Sequence, residues 1–461
     1  MLSRNFTVIL LATVVATLCH LLHQRTRVAI VVGQAMDMID QFYVEPVDTR
    51  DLLVGAMKGM TDQLDRNSEF IAPRDYSSFQ DSIDQEFAGI GIYISGGTTD
   101  DPDGPPVRVV TPLVGSPALE AGLMPGDEFV VIDGEDVSAM GQVDVSQRLR
   151  GPIGTTVSVT IRRLDQDDRP DQASMSVRRD TIQLESVIGD HRDEANRWVY
   201  RIESHPEIAY VRMTSFGDKT VSELRGVLGR LDNQFAALIL DLRGNGGGLL
   251  SAAVDVSDMF LASGKIVSTK VRGGRLEEEA KATPTTLVEV DKPMAVLIDG
   301  LSASASEIVS AALQDHGRAH IVGQRSYGKG TVQSILPLEY GRSALRLTVA
   351  KFYRPNDHPI HRSPDATDED EWGVTPDDGL SVERDEESMI QLARLWEQAS
   401  YPSLKGASRP KPPADSDETS SDAPSVAPLP DDATVWDFDA VLRRAVERLT
   451  REMRSTERQA A

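Results

Sequence analysis

The spacing of hydrophobic residues changes along the chain, and each change marks a different type of structure. Between residues 28 and 86 apolar positions recur at helical intervals. This pattern predicts a helical N-terminal region that caps the fold or supports homo-oligomerisation. Between 87 and 165 the apolar runs are short and are separated by Gly, Pro and Asp. Such runs predict strands joined by tight turns.

From 180 to 400, apolar runs of strand length alternate with longer segments of helical periodicity. The predicted strands cover 208–213, 236–240, 294–298 and 320–322, and the predicted helices cover 220–231, 249–261 and 305–314. This alternation is typical of a layered α/β core. The expected fold class is therefore multi-domain α+β: a layered α/β core, an inserted β-rich domain, and helical elements at both ends.

The C-terminal part combines polar segments with an amphipathic helix. Residues 408–432 are rich in Pro, Ser and Asp, which predicts a disordered linker, and 365–371 form an acidic loop. Little regular structure is expected between Trp372 and the linker. Between 433 and 456 one helical face is apolar and the other carries arginines. The simpler interpretation is a packing helix, and the alternative is a helix that binds a partner.

Composition limits the classes of function. The formal net charge of −24 disfavours nucleic-acid binding, which requires a basic face. The single cysteine, Cys19, lies in an apolar run at 6–22, so the remaining chain has no disulfide framework, cysteine zinc site or thiol nucleophile. Residues 1–24 are expected to be a signal peptide or a signal anchor, with a buried helix as the alternative. An anchor would attach the chain to the membrane and place it in the cell envelope, on the periplasmic or extracytoplasmic side of the inner membrane.

Ser304 lies in a turn of small residues between an apolar strand and an apolar helix, which permits two interpretations. With Glu307 three positions later it forms a capping-box pattern. As a nucleophile it would occupy the same helix N-terminus, where free N–H groups and the helix dipole stabilise an oxyanion. The N–H of Ala305 would then be one oxyanion donor. The two roles are compatible at one position.

A serine nucleophile needs a base, and none of the 8 histidines lies in a triad motif. His316 is expected to be structural, and His358 and His361 are too isolated to predict a metal site. Lys329 is the better candidate, although a surface loop or a phosphate grip is the ordinary interpretation of Gly-Lys-Gly. A lysine base must be neutral, which requires a pKa lowered to roughly 7–8. Gln333 could orient its amine without adding a charge.

Residues 241–248, called the glycine loop below, follow a buried strand. They lack the Gly-Lys-Ser/Thr ending of a nucleotide-binding loop. The N–H of Gly247 is expected to be a second oxyanion donor opposite that of Ala305. A tight structural turn is the alternative.

Residues 87–165 resemble a PDZ domain of the kind found in bacterial proteases. The resemblance rests on Gly115-Ser116-Pro117-Ala118, Ala121-Gly122-Leu123, Gly126-Asp127 and Ile132-Asp133-Gly134. Such a domain binds a peptide as an added strand and holds its carboxylate on loop N–H groups. The expected carboxylate loop is Gly89, Ile90, Gly91 and Ile92, although this stretch alone would suit an ordinary strand start.

Residues 35–400 resemble the C-terminal processing peptidases, or tail-specific proteases. The matching segments are Ile208-Ala209-Tyr210, Ser215-Phe216, Asp241-Leu242-Arg243-Gly244-Asn245, Gly247-Gly248, Ser302-Ala303-Ser304-Ala305-Ser306-Glu307-Ile308, Gln314-Asp315, Gly317-Arg318-Ala319, Gly328-Lys329-Gly330, Val332-Gln333 and Gly373-Val374-Thr375-Pro376-Asp377. The resemblance implies a crotonase/ClpP-like core with a Ser–Lys dyad: Ser304 as nucleophile, Lys329 as base and Gln333 as its support. It also implies a regulatory role for Arg150 and no cofactor.

Three features depart from the family pattern. Asp65-Arg66-Asn67-Ser68 replaces the usual Asp-Pro-His-Ser, Gly246 stands where proline is common, and 365–371 looks like an insertion. None touches the three expected catalytic residues. The leading hypothesis is a serine endopeptidase that acts on proteins with exposed apolar C-termini. The alternatives are a catalytically silent PDZ peptide-binding adaptor and a relative that binds apolar molecules.

Overall fold

The computed structural model describes Thr13 and residues 29–97, 105–164, 170–367, 369–383, 385–404 and 434–460. The expected signal segment 1–24, apart from Thr13, and the expected linker 408–432 lie outside the described residues. The chain divides into two units, Met1–Ser77 with Gln333–Val349, and Ser78–Val332 with Ala350–Ala461. Among the helices of the described part, none is long and apolar enough to span a membrane.

The first unit contains the N-terminal helices that the sequence predicts. Residues 29–42 are helical, and a second helix covers Thr49–Thr61. The Asp48 carboxylate caps this helix by accepting from the Arg50 N–H at 2.8 Å. A short strand, Glu69–Ile71, pairs antiparallel with residues 344–346. Helical periodicity does not reveal this strand because it contains only three residues.

The second unit begins with the β-rich domain. Its sheet runs, in spatial order, through Ile92–Ser95, Arg108–Pro112, Glu128–Ile132, Thr156–Leu164 and Pro170–Arg178, and its helices are Pro117–Glu120 and Gln142–Leu149. The last strand is absent from the sequence-based prediction. It pairs with Thr156–Leu164 along its full length, but its side chains are mostly exposed and polar, so its apolar pattern is weak.

The central sheet is the core of the second unit. Its strands lie in the order Val187–Ile188, His205–Met213, Ala237–Asp241, Met294–Ile298 and His320–Gly323, and Arg201–Ile202 also pairs with His205–Met213. The last four strands of the order are mutually parallel. Every residue of Ala237–Asp241 and Met294–Ile298 is buried, as expected for parallel strands covered on both faces.

One face of the central sheet packs against three helices, Thr220–Leu231, Leu250–Asp258 and Ala305–Asp315. The other face packs against the C-terminal helix, Ala440–Ala460, which a short helix, Val435–Phe438, precedes. Side chains alternate between the faces because successive strand residues point in opposite directions. Leu238 and Leu240 face the three helices, whereas Ile239 and Leu297 face the C-terminal helix. The predicted packing role of the last helix is therefore confirmed.

A second group of strands flanks this core. Lys265–Val271 pairs antiparallel with Leu276–Lys281 and with residues 350–353, which end the strand Ser343–Tyr353. Thr331–Leu338 is a further strand. A 15-residue helix, Glu386–Ser400, follows the acidic loop.

The expectation of little regular structure after Trp372 is therefore wrong. The helix Glu386–Ser400 has an acidic first turn, and among its residues 387–400 only three are buried: Gln391, Leu392 and Leu395. Its amphipathic signal is correspondingly weak. The Asp385 carboxylate caps it by accepting from the Ser388 N–H at 2.8 Å.

We predict that Leu449→Ala lowers the free energy of unfolding by about 2–5 kcal/mol, because Leu449 is fully buried between the C-terminal helix and the sheet. Urea denaturation followed by fluorescence measures this change. The matched control is Arg451→Ala on the exposed face of the same helix, which should change stability by no more than about 0.5 kcal/mol. Equal stability of the two variants would contradict the helix acting as a core layer.

Candidate active site

Ser304 lies in the connection between the strand Met294–Ile298 and the helix Ala305–Asp315. Its backbone angles, φ 57° and ψ −112°, lie outside the regions that residues other than glycine normally adopt. Such strain costs on the order of 1–3 kcal/mol and concentrates at functional sites. A strained strand–turn–helix connection is also the setting in which hydrolases present a nucleophilic serine.

The Glu307 carboxylate joins the segments that carry Ser304 and Lys329. One oxygen, Oε2, accepts from the Ser304 N–H at 2.8 Å and from the Lys329 N–H at 2.9 Å. The other, Oε1, accepts from the Ser326 hydroxyl and the Gly328 N–H, both at 2.6 Å. The side chain is fully buried. Four donors thus satisfy one buried carboxylate and fix the two loops to each other.

Sequence reasoning identifies Glu307 only as half of a capping box and misses its contacts with the lysine loop. The available signal was its position within a small and apolar helix, where an unpaired carboxylate would be costly to bury. Burial raises the pKa of Glu307 to about 7, although its four hydrogen bonds act in the opposite direction.

Lys329 lies on a loop that other segments approach closely on both sides. A Cβ at Gly328 would lie 2.7 Å from the Cβ of Arg362 and 2.8 Å from the ring of Trp372. A Cβ at Gly330 would collide with the backbone of His361. Both flanking glycines are therefore required by the close approach of neighbouring segments.

Trp372, which follows the acidic loop, packs between two guanidinium groups. Arg325 and Arg362 lie 3.6 and 4.4 Å from its ring centroid. Arg325 also donates to the Trp372 carbonyl at 3.1 Å. These contacts hold the ring in place against Gly328.

The glycine loop contacts the N-terminus of the helix that Ser304 precedes. A Cβ at Gly247, where φ is +100°, would lie 2.7 Å from the Ala303 carbonyl, 2.8 Å from the Ser304 Cβ and 2.9 Å from the Ala305 nitrogen. The two predicted oxyanion donors, Gly247 and Ala305, are therefore adjacent. In this structure the Gly247 N–H donates to the Asn245 Oδ1 at 2.9 Å. The Asn245 carbonyl accepts from the Ala303 N–H and the Ser306 hydroxyl, at 3.0 and 2.8 Å.

A fully buried ion cluster lies at the start of the glycine loop. Arg243 donates to Asp241 at 2.9 and 2.6 Å, and to Asp439 at 2.8 and 2.7 Å. The Tyr210 hydroxyl donates to Asp241 at 2.6 Å. Burial alone would lower the pKa of Arg243, but the two carboxylates outweigh it and hold the pKa well above its ordinary value. Asp439 is absent from the sequence-based site, because no local pattern links it to Arg243.

Gln333 belongs to the first unit, in the strand Thr331–Leu338. Its amide donates to the Thr348 hydroxyl at 3.2 Å, and this hydroxyl donates to Asp65 at 3.1 Å. Asp65 also accepts from the N–H of Asn67 and the hydroxyl of Ser68. Asp65 and Ser68, which this segment shares with the usual Asp-Pro-His-Ser pattern, are thus part of the same hydrogen-bond network as Gln333, together with the backbone N–H of Asn67.

Gly89 ends the strand Glu86–Gly89, which pairs with Asp180–Gln183, and Ile92 begins the strand Ile92–Ser95 of the β-rich domain. Ile90 is buried in that domain's core, and its carbonyl accepts from the Ala118 N–H at 2.9 Å. The Gly91 carbonyl accepts from the Leu113 N–H at 3.0 Å. Gly91 has φ +78°, and a Cβ there would lie 2.5 Å from the Ser116 Cβ. The loop therefore packs directly on the Gly-Ser-Pro-Ala turn.

Arg150 ends the helix Gln142–Leu149 and contacts the segment that enters the β-rich domain. Its guanidinium forms an ion pair with Asp81 and lies 5.0 Å from the ring centroid of Phe87. The predicted regulatory residue is thus located between the β-rich domain and the helix Pro73–Asp84.

His316 is structural, as expected: its Nε2 lies 2.7 Å from the Lys265 carbonyl oxygen. Within the described residues, no group of three or more His, Cys, Asp or Glu side chains could hold a metal ion.

We predict that Gly247→Ala greatly slows covalent modification of Ser304 by a fluorophosphonate, because the added Cβ would collide with the Ala303 carbonyl and the Ser304 Cβ. The collision should displace the Gly247 N–H, with a loss comparable to that of one oxyanion donor, about 10²–10³ in kcat. The matched control is Gly246→Ala, because a Cβ there has no neighbour within 4 Å. Equal labelling rates for the two variants would show that Gly247 does not contribute to the reactivity of Ser304.

We predict that Glu307→Gln removes a pH dependence of stability. Between pH 4.5 and about 7 the folded state holds the Glu307 proton more tightly than the unfolded chain. The free energy of unfolding therefore decreases as the pH rises through this window, by on the order of 3 kcal/mol. Denaturation at a series of pH values measures the slope, with Glu447→Gln on the exposed helix face as control. The same slope in wild type and Glu307→Gln would exclude this carboxyl as its source.

Two family models match the chain: peptidase family S41 over residues 207–378 and the PDZ domain over residues 108–163. The carboxy-terminal-processing protease of Bartonella bacilliformis is 35% identical over 353 residues, which are 75% of this chain and 73% of that protein. The carboxyl-terminal-processing protease of Picosynechococcus is also 35% identical, over 74% of this chain and 76% of that protein.

Among solved structures, the photosystem II D1 C-terminal processing protease is 26% identical and aligns with 77% of this chain and 92% of its own, with a TM-score of 0.42. The sequence matches, which extend over most of both chains, show common descent. The chain also carries a PDZ domain. It therefore belongs to peptidase family S41, the carboxyl-terminal-processing proteases, and this membership indicates that it is a peptidase.

Proposed function

We propose that this chain is a serine endopeptidase that recognises the C-termini of protein substrates through its PDZ domain and cleaves them with Ser304 and Lys329. The observation that carries the proposal is the Glu307 carboxylate, which bonds to the backbone N–H of both residues through one oxygen. This buried carboxylate holds the Ser304 turn and the Lys329 loop together, as a nucleophile and its base require.

In the proposed reaction the Ser304 hydroxyl attacks the carbonyl carbon of the scissile peptide bond. The neutral Lys329 amine accepts the hydroxyl proton and then donates it to the leaving amine, which gives an acyl-enzyme and a new N-terminus. Water, deprotonated by the same amine, attacks the acyl-enzyme and restores Ser304. Gln333 supports the lysine as a neutral partner, which adds no charge beside the amine.

The N–H groups of Ala305 and Gly247 are the proposed oxyanion donors. Both adjoin Ser304, and the Ala305 N–H lies at the positive end of the following helix. The Gly247 N–H becomes available only when its bond to the Asn245 side chain opens. The glycine loop would therefore adjust when substrate binds.

The PDZ domain is proposed to deliver the substrate. Ile92–Ser95 pairs with Arg108–Pro112 on one side, so its other edge can accept a peptide as an added strand. The loop from Gly89 to Ile92 would hold the carboxylate of an apolar substrate C-terminus. Arg150, through its contacts with Asp81 and Phe87, would link the binding of a peptide to the PDZ domain with the activity of the peptidase core.

The wider organisation is also a proposal. The domain limits are those expected from the sequence, with the PDZ domain at 87–165 and the peptidase core at 180–400, and the core layering is of the crotonase/ClpP kind. Residues 1–24 would attach the protein to the membrane or direct its export to the cell envelope. Self-association through the helical region 28–86 fits its exposed apolar side chains, which include Val31, Phe42 and Val44.

A catalytically silent adaptor is the alternative function. It would need the PDZ domain, but it gives no reason to bury Glu307 between Ser304 and Lys329. The geometry therefore favours the peptidase.

The test is cleavage of an unstructured protein with an apolar C-terminus by the full chain. Ser304→Ala and Lys329→Ala should each lower the rate by at least about 10³-fold, because each removes a member of the dyad. The matched control is Lys351→Ala, an exposed lysine on a neighbouring strand, which should leave the rate unchanged. A substrate that ends in Asp-Asp should be cleaved more slowly than the apolar one.

Two results would contradict the proposal. Cleavage that persists in Ser304→Ala would show a different nucleophile or a contaminating protease. A wild-type chain that binds the peptide but never cleaves it would support the adaptor.

A further inference from the structure

The glycine loop is held from two sides through Arg243. Asp241, the last residue of its strand, contacts this guanidinium from within the loop. Asp439 contacts it from the C-terminal end of the chain, 196 residues later, and both oxygens of its carboxylate take part. All three side chains are fully buried. The Nη1 atom donates to Asp439, whereas Asp241 contacts Nε and Nη2, so the two carboxylates are not interchangeable.

The position of Asp439 is set by the C-terminal helix. Its carboxylate also accepts from the Leu442 N–H at 2.9 Å and its carbonyl accepts from the Arg443 N–H, so it caps the helix that it precedes. Val441 and Leu442 of that helix are buried against the central sheet. The carboxylate therefore reaches Arg243 only when the helix is docked.

Displacement of Arg243 would be transmitted to Ser304 within a few residues. Gly244 donates to Asp299 at 3.0 Å, and the Asn245 carbonyl accepts from Ala303 and Ser306, which flank Ser304 and Ala305. Gly247 is in van der Waals contact with this turn. Arg243 thus anchors the loop within its run of contacts with the nucleophile turn, which begins where the Leu242 carbonyl accepts from the Ser302 hydroxyl at 2.9 Å.

We propose that Asp439 is a positioning residue for the reaction, which acts through Arg243 on the oxyanion donors of the glycine loop. The C-terminal helix then contributes to the active site as well as to the core. This inference rests on the proposed function, because its effect is on the oxyanion step. Without the Asp439 carboxylate, Nη1 is buried without its acceptor, and the loop must shift to hydrate it.

The experiment uses the full chain with Asp439→Asn, which keeps the side-chain volume and removes the charge. We expect kcat to fall by about 10²-fold or more, as for loss of an oxyanion donor, with KM changed by no more than about twofold. The rate of fluorophosphonate modification of Ser304 should fall in parallel. In Asp439→Ala, added formate should restore part of kcat by occupying the vacated site.

The matched control is Leu449→Ala in the same helix, which lowers the stability of the protein but keeps Asp439 and its bonds to Arg243 in the folded state. Measured on folded protein, its kcat should equal that of wild type. A purely structural Asp439 would give the opposite result: Asp439→Asn would lose stability but keep kcat, and formate would change nothing. That outcome would overturn the proposal.

If Asp439→Asn does not fold, the double variant Arg243→Met with Asp439→Leu replaces the buried charges by apolar groups and keeps the packing. This double variant should fold and have a kcat well below that of wild type. A folded double variant with wild-type kcat would also overturn the proposal. Wild-type protein that cleaves nothing counts against the proposed function. Wild-type protein that cleaves, next to a folded Asp439→Asn variant that cleaves equally well, counts against Asp439 alone.

Discussion

The geometry of the candidate site depends on one buried carboxylate. Glu307 lies on the helix that Ser304 begins, and it accepts hydrogen bonds from both this turn and the lysine loop. Two backbone segments that are remote in sequence are thereby fixed at hydrogen-bond distance from the same group. A carboxylate is suited to this task because each of its oxygens can accept two donors at once. The strained backbone of Ser304 persists because this network and the small neighbouring residues leave the turn no relaxed alternative.

The fold is predictable from the sequence where burial is uniform and the periodicity is strong. Helix Thr220–Leu231 and strand Met294–Ile298 agree with the sequence-based prediction to the residue. Their apolar residues pack in the central sheet or against it, so the spacing of apolar residues in the local sequence is enough to predict both elements. Strand Pro170–Arg178 and helix Glu386–Ser400 are missed because each buries little apolar surface. Their existence depends on pairing and packing with distant segments, which local patterns do not record.

The candidate site shows the same distinction. Ser304, Lys329 and Gly247 lie in short motifs. The glycines and small residues of these motifs are required where backbone segments approach closely, so the motifs can be recognised in the sequence. The Arg243–Asp439 pair could not be predicted, because only the folded chain brings these two residues together. The sequence shows that Arg243 is charged. It does not show that Arg243 is buried and therefore pairs with a second buried carboxylate, because burial is a property of the complete core.

The C-terminal helix has a consequence for biosynthesis. A chain is made from its N-terminus, so the strands of the central sheet emerge well before the helix that covers one of their faces. Until residues 440–460 are available, side chains such as Ile239 and Leu297 lack the partners that this helix supplies on that face. A nascent or prematurely ended chain therefore presents an open apolar sheet to chaperones and to quality control. The core of the second unit is therefore complete only after residues 440–460 have been made.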